Sequence, residues 1–269
     1  LLLLAVPFSG LFGRISARVM LEDVTELNDV PAHHRSMLNL EALDDPNLAI
    51  ASIKRELQRM LLIVEEMMLP MMGLLEDYNK DHMNLIIEKD KMLNEALDSI
   101  RLYVADLSSV NGSQNDKAKS RKEFRNLLEF AIAIEAAGDA VSKTLTQLAT
   151  RRDRDGIRFS EEGSVELREM HERVVANIAL AGNVLVSSDV GIARRLIEEK
   201  DEFTHRQRKS RKSHLKRLAK GRVESLESSD LHLESGLAFK EFNSQIASIA
   251  YPILARDGQL LASRLVSED

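Results

Sequence analysis

Apolar residues fall at spacings of three and four from Ile50 through Ile53, Leu57, Met60, Leu61, Val64, Met67, Met68 and Met71 to Leu75. That period turns one face of a helix toward a core. The helix is expected to run from about Pro46 to Tyr78, with Asp45 as its cap and Pro46 at the first helical position. Pro70, inside it, should kink it. A second helix is expected from about Asp81 to Leu107 through Leu85, Ile86, Met92, Leu93, Leu97, Ile100 and Val104. The turn-rich stretch Ser108 to Asp116 separates it from a third, about Ser120 to Thr150. The plan then returns. Helices are expected over about Ser164 to Val186 and, behind the cap Asp189, about Val190 to Ala219. A turn at Gly221 to Ser229 leads to the last, about Asp230 to Leu254, with Ser228-Ser229-Asp230-Leu231 as its cap and Pro252 near its end.

The return is also literal. Arg55-Glu56-Leu57-Gln58-Arg59-Met60 reappears 110 positions later as Val165-Glu166-Leu167-Arg168-Glu169-Met170. Ile86-Ile87-Glu88-Lys89-Asp90 reappears 111 positions later as Ile197-Glu198-Glu199-Lys200-Asp201. A spacing held to within one residue predicts a duplicated unit of about three helices. The fold expected is all-α: two tandem three-helix bundle units, preceded by the end of a membrane helix and a linker. Residues 1–20 would be the end of the last transmembrane helix, 21–46 the linker, 47–150 the first unit and 160–257 the second. Short or plainly looped connections suit antiparallel bundle neighbours.

Composition agrees with helices, since aromatics are 4% and Gly and Pro number only 12 and 5. The absence of cysteine removes disulfides and thiolate metal sites and fits a reducing compartment. A formal charge of −6 argues against bulk nucleic-acid affinity. The charge is uneven, because Arg206 to Arg222 holds nine Lys/Arg and no carboxylate. Its head, with Arg208, Lys209, Arg211 and Lys212, suits either anionic lipid headgroups or a solvated helix face. Nucleic acid would want interleaved aromatics, and the run has none.

The apolar opening, Leu1 to Gly13, is shorter than the ~20 residues that span a bilayer. It lacks the charged start and small-residue cleavage site of a secretory signal. It reads as the cut end of a membrane helix, with Arg14 and Arg18 at a cytoplasmic exit. The alternative is an apolar helix start packed on the body.

Glu135 and Asp139 lie four apart, on one face of the third helix, and Glu88 and Asp90 lie at matching depth on the second. Facing carboxylates in a bundle can hold a hard or borderline cation, and the same pattern suits an exposed acidic face. Gly138, between them, costs ~1 kcal/mol in mid-helix and points to a close approach of helices. In the second unit Glu198, Glu199 and Asp201 remain, but Lys240 and Ser244 stand where Glu135 and Asp139 would be. Glu202-x-x-His205 has the spacing of di-iron bundles, yet its first-unit counterparts are Lys91 and Asn94, so the required second copy is missing. No Gly-rich phosphate loop, nucleophile elbow or Ser/His/Asp grouping occurs, and an enzyme is not expected.

Tandem three-helix units with an acidic patch on the second helix and Glu-x-x-Gly-Asp on the third resemble the PhoU family of phosphate-response proteins. Gly221-Arg222-Val223-Glu224-Ser225, Leu231-His232-Leu233 and Asn243-Ser244-Gln245-Ile246-Ala247-Ser248-Ile249-Ala250-Tyr251-Pro252 are similar to the PhoU-like tail of bacterial sodium/phosphate cotransporters. The resemblance covers roughly residues 1 to 257. It implies the cytosolic regulatory portion of a sodium-dependent inorganic phosphate cotransporter, with residues from about 21 onward on the cytoplasmic side of the inner membrane. The implied partners are its own N-terminal sodium/phosphate transport domain and the membrane, and no nucleic acid. A homodimer stays open. In some PhoU proteins the acidic motifs bind metal, which would place a divalent or iron cation at Glu88, Asp90, Glu135 and Asp139, and a second at Glu198, Glu199 and Asp201. Asn94 and Ala238 stand where the family usually has carboxylates. The other reading is a free-standing PhoU-type adaptor that acts through protein partners.

Overall fold

The Asp45 carboxylate accepts hydrogen bonds from the backbone N–H groups of Asn47 (2.8 Å) and Leu48 (3.4 Å) and so starts helix α1, Pro46–Met68. The structure is a computed structural model that describes residues 35–107 and 114–259. The expected membrane-helix end, with Arg14 and Arg18, and most of the expected linker lie outside the described residues. By its contacts the chain divides after Arg35, and the unit from Ser36 onward shows no strand among its described residues.

The apolar stripe of α1 is buried as its period requires, from Ile53 and Leu57 to Met67 and Met68. Pro70 does more than kink the rod. It offers no N–H to the carbonyl four residues back, so α1 ends at Met68 and a separate short helix α2, Met71–Glu76, resumes after it. Helix α3 spans Lys80–Leu107. The third rod runs on as α4 (Gln114–Asp139), a π-helical segment (Ala140–Leu145) and α5 (Thr146–Arg154). The hydroxyls of Thr146 and Thr150 donate to the carbonyls of Ser142 and Thr146, a back-bonding pattern that favours bending at this point.

The second half repeats the order. Helix α6, Glu161–Ser187, is capped by Ser160, and α7, Val190–Ala219, by Asp189, whose carboxylate accepts from the Ile192 N–H at 2.8 Å. A five-residue helix α8, Val223–Glu227, occupies the expected turn. The last rod is α9 (Ser229–Ile246), a 3-10 turn (Ala247–Ile249) and α10 (Ala250–Arg256). It breaks because Pro252 cannot bond back to Ser248, and Pro is tolerated only in the first turn of the renewed helix. Ser228 sits at the start of α9 without a side-chain cap bond, unlike the expectation.

The two halves repeat the same order of helices. The second helices of the halves start 110 residues apart, at Lys80 and Val190. Leu57 and Leu167, and Met60 and Met170, are buried in pairs. The halves pack on each other through one continuous core, with α1 on α6 and α4 on α9. Both pairs run antiparallel. Lys54 near the start of α1 donates to Ser188 Oγ just past the end of α6 (3.2 Å), and His171 Nε2 lies 2.9 Å from the Met68 carbonyl. At the opposite end of the second pair, Arg151 stands 3.6 Å from both Asp230 and Glu234.

Gly138 does mark a close approach. A Cβ there would lie 2.4 Å from Leu93 Cδ1 of α3, inside a fully buried layer. Gly138→Leu should therefore lower stability by about 3 kcal/mol in urea unfolding, because overpacking a filled core forces strain. A loss below about 1 kcal/mol would mean that α3 and α4 are not held this close.

The end of the expected linker is not loose. Residues 40–44 form a 3-10 turn, and Ala42 is buried. The Met37 N–H donates to Glu56 Oε2 (2.6 Å) and the Asn39 N–H to Ser52 Oγ (2.7 Å). The Ser52 hydroxyl donates to the Met37 carbonyl (3.2 Å), and the Tyr103 hydroxyl of α3 to the Asn39 carbonyl (2.7 Å). These bonds satisfy the backbone polar groups of the strap and hold it against α1 and α3.

Candidate functional site

The acidic positions on α3 and α4 meet in part. Ser142 of the π segment donates to Asp90 Oδ1 at 2.7 Å, and the Lys143 ammonium lies 2.6 Å from Asp139 Oδ1. Burial raises the pKa of Glu135, and the neighbouring charges of Asp139 and Asp90 raise it further. Asp90, Glu135 and Asp139 thus share one patch. Glu88 does not join it, because residues two apart on a helix point to opposite sides, and Glu88 is exposed.

Metal ligation needs a convergent donor set. Among the described residues no three His, Asp or Glu side chains form one. Asp90 and Asp139 are instead engaged by Ser142 and Lys143, so the patch as arranged does not fit a cation. The second-half candidates are further apart in role: Glu198 and Asp201 are exposed, and Glu199 pairs with Arg173 at 3.0 Å. Glu202 pairs with Arg206 one turn on (2.7 Å) rather than with His205.

The densest polar centre is one the sequence did not announce. Glu166 of α6 accepts from Ser210 Oγ (2.7 Å) and from both Arg217 amino groups (2.9 and 3.1 Å) of α7. His232 Nε2 of α9 lies 3.2 Å from its Oε2. Burial alone would raise this carboxyl, but the bonds from His232, Arg217 and Ser210 outweigh it and hold the pKa at about 2. The His214 ring stacks on His232 with centroids 4.5 Å apart and planes 11° from parallel, and its Nε2 lies 3.1 Å from Ser229 Oγ. Burial, then the neighbouring His232 and Arg217, push His214 down to about 4. Gly163 admits this pair, since a Cβ there would come within 3.2 Å of His232 Cδ2. Glu166 is the repeat partner of Glu56, which is buried against Arg59 (2.5 Å) in the first half. The same repeat position thus carries an arginine-paired carboxylate in both halves, but the pair stays within α1 in the first and crosses from α6 to α7 in the second.

Arg217 is thus drawn inward from the basic run, whereas Arg222 stays exposed and pairs with Glu162 at the surface (3.0 Å). Arg208, Lys209, Arg211 and Lys212 remain exposed. The run ends at the α6-start end of the bundle, away from the strap.

Clefts open on the surface of the described residues. One of about 610 Å³ lies between α6 and α7, where the Arg173–Glu199 pair crosses a floor of Ala176 and Leu180. A smaller one of about 110 Å³ at the strap end has Lys54, Lys119, Lys122 and Arg256 around Leu127, Val184 and Ile253. Neither brings together a nucleophile, base and orienting group. No described helix is long and apolar enough to cross a membrane.

No protein-family model matches the chain. It is 30% identical over 256 residues to the putative inorganic phosphate export protein YjbB of Salmonella typhimurium, covering 94% of this chain and 45% of that protein. To the protein of the same name in Escherichia coli K12 it is 28% identical over 254 residues, again 94% of this chain and 45% of that one. The chain spans less than half the length of these curated relatives. Among solved structures it superposes on the phosphate transport system regulatory protein PhoU from Streptococcus pneumoniae with a TM-score of 0.68 at 15% identity, over 81% of this chain and 100% of that one. PhoU from Pseudomonas aeruginosa gives 0.64 at 13% identity, over 80% and 99%. The fold is PhoU-like.

Proposed function

We propose that this chain is the non-catalytic, PhoU-like regulatory body of a protein that moves inorganic phosphate across a membrane. The observation that carries the reading is the alignment over 94% of the chain with proteins named as putative inorganic phosphate exporters. The PhoU-like fold supports it independently, since the solved pneumococcal neighbour is by name a phosphate transport system regulatory protein. The transport chemistry would then lie in the part of the longer relatives that this chain does not cover, and the helical body would act on it from the cytoplasmic side. Within this reading, sodium coupling and uptake, as in a sodium/phosphate cotransporter, stand against export. Proteoliposomes holding the longer protein decide between them by flux of labelled phosphate under sodium gradients of either sign. Uptake that follows the sodium gradient supports the cotransporter, and sodium-independent efflux the exporter. An absence of phosphate flux in either direction contradicts the proposal itself.

A second reading is a free-standing adaptor, favoured by the complete coverage of the solved pneumococcal PhoU chain. It predicts a chain that leaves membranes on a salt wash, whereas the first predicts one that does not.

A further inference from the structure

The corner where α7 turns into α8 combines two exposed features that the fold does not use. Arg208, Lys209, Arg211, Lys212, Lys216 and Lys220 are all exposed and make no ion pair with a described residue. Positions 208, 212, 215 and 216 follow one stripe at helical spacing, so the charges fan over the outer half of α7. Leu215, 47% exposed, sits within that fan.

The chain then reverses at Gly221, whose φ of +70° lies in the left-handed region that favours glycine. The reversal gives α8 two unlike faces. Ser225 is fully buried, while Val223 and Leu226, three apart and hence on one side, are 60% and 69% exposed. Val223 and Leu226 thus form an apolar tip that follows directly on the basic outer half of α7, with the exposed Glu227 beside it. Apolar side chains exposed together next to charge mark an interaction surface. The base of the corner is anchored by the Arg217–Glu166 pair and, on its α8 side, by the buried Ser225, with an exposed Arg222–Glu162 pair beside it. Its apolar tip and its charges therefore keep a fixed relation to each other.

We propose that the α7–α8 corner docks on an anionic lipid bilayer, the α7 cations meeting the headgroups while Val223 and Leu226 enter below them. Cations beside an apolar tip match the two layers of such a surface, anionic headgroups over acyl chains. Nucleic acid would use the cations but not the tip, and would want stacking aromatics, which the corner lacks. The inference stands apart from the phosphate reading, since it rests on exposure and charge alone.

The chain contains no tryptophan, so Leu226→Trp provides a single reporter at the tip and, in a separate protein, Leu62→Trp on α1 a control. Each is titrated with vesicles of phosphatidylcholine alone or mixed with phosphatidylglycerol. The expected result is a blue shift at position 226 with the mixed vesicles only, quenched by brominated acyl chains, while position 62 stays unshifted. Raising salt until the screening length falls to about 3 Å should abolish it. Lys209→Gln, Arg211→Gln, Lys212→Gln and Lys216→Gln together, in the Leu226→Trp chain, should weaken the titration at least about tenfold with unchanged thermal unfolding. An unshifted Trp at 226, an equal shift with neutral vesicles, or an undiminished shift in the charge variant overturns the proposal. So does tighter binding of RNA or polyglutamate than of mixed vesicles, which would assign the cations to a polyanion instead.

Discussion

Glu166→Ala is expected to destabilise the protein by about 3–5 kcal/mol. The carboxylate neutralises Arg217 and accepts from Ser210, with His232 3.2 Å away, all from other helices. Its removal leaves a guanidinium only 11% exposed without its paired carboxylate, Glu162 being the remaining negative charge nearby. Breaking such a pair costs more than the pair contributes, because the desolvation penalty of the remaining ion is then unopposed. The joint variant Glu166→Leu, Arg217→Met should recover most of the loss, since it removes both charges and keeps apolar volume. Glu202→Ala, at an exposed pair with Arg206, should cost under about 0.5 kcal/mol. Urea unfolding at neutral pH reads all three, and a loss near 1 kcal/mol for Glu166→Ala would show the centre to be solvated rather than buried.

Acid should act on the same centre in two steps. His214 would titrate near 6.5 when unfolded but only near 4 in the fold, so the folded state resists its proton. Stability from this group is complete above pH 6.5 and is lost as pH falls toward 4, by up to about 3 kcal/mol at 1.36 kcal/mol per unit. Burial lowers the pKa of His171 as well, in the same direction. Glu166, with a folded pKa of about 2 against 4.5 unfolded, contributes fully above pH 4.5 and is lost between there and 2, again by up to about 3 kcal/mol. The urea midpoint should therefore decline from just below pH 6.5, with a second decline below 4.5. His214→Phe keeps a ring against His232 and should flatten the upper decline while leaving the lower one. A midpoint that is constant from pH 7 to 5 in the parent protein would contradict the burial of these rings.

Much of the architecture was legible because it follows from period and caps. The stripe from Ile53 to Met68 is a local pattern that only a helix satisfies, and Asp45 and Asp189 cap through atoms two or three residues away. Gly138 was legible for a related reason, since a glycine kept in mid-helix has little other use. What failed to show was non-local. The strap depends on bonds from Met37 and Asn39 to Glu56 and Ser52, which no pattern around residue 37 announces. Glu166, Ser210, Arg217 and His232 meet across three helices, and in the sequence Arg217 is one cation among nine. The π segment has an ordinary helical composition, Ala-Val-Ser-Lys-Thr-Leu, so nothing local marks it. The acidic patch was half legible. Spacing by four placed Glu135 and Asp139 together, but pairing Glu88 with Asp90 overlooked that two residues advance a helix by more than half a turn.

The central claim is that a PhoU-like body governs phosphate movement by the protein that carries it. Labelled-phosphate flux through proteoliposomes tests this when the intact longer protein is compared with one lacking residues 36–259. The account predicts that both forms conduct phosphate and that only the intact form changes its rate with the phosphate concentration on the body's side. Identical, equally responsive rates with and without the helical body would contradict it.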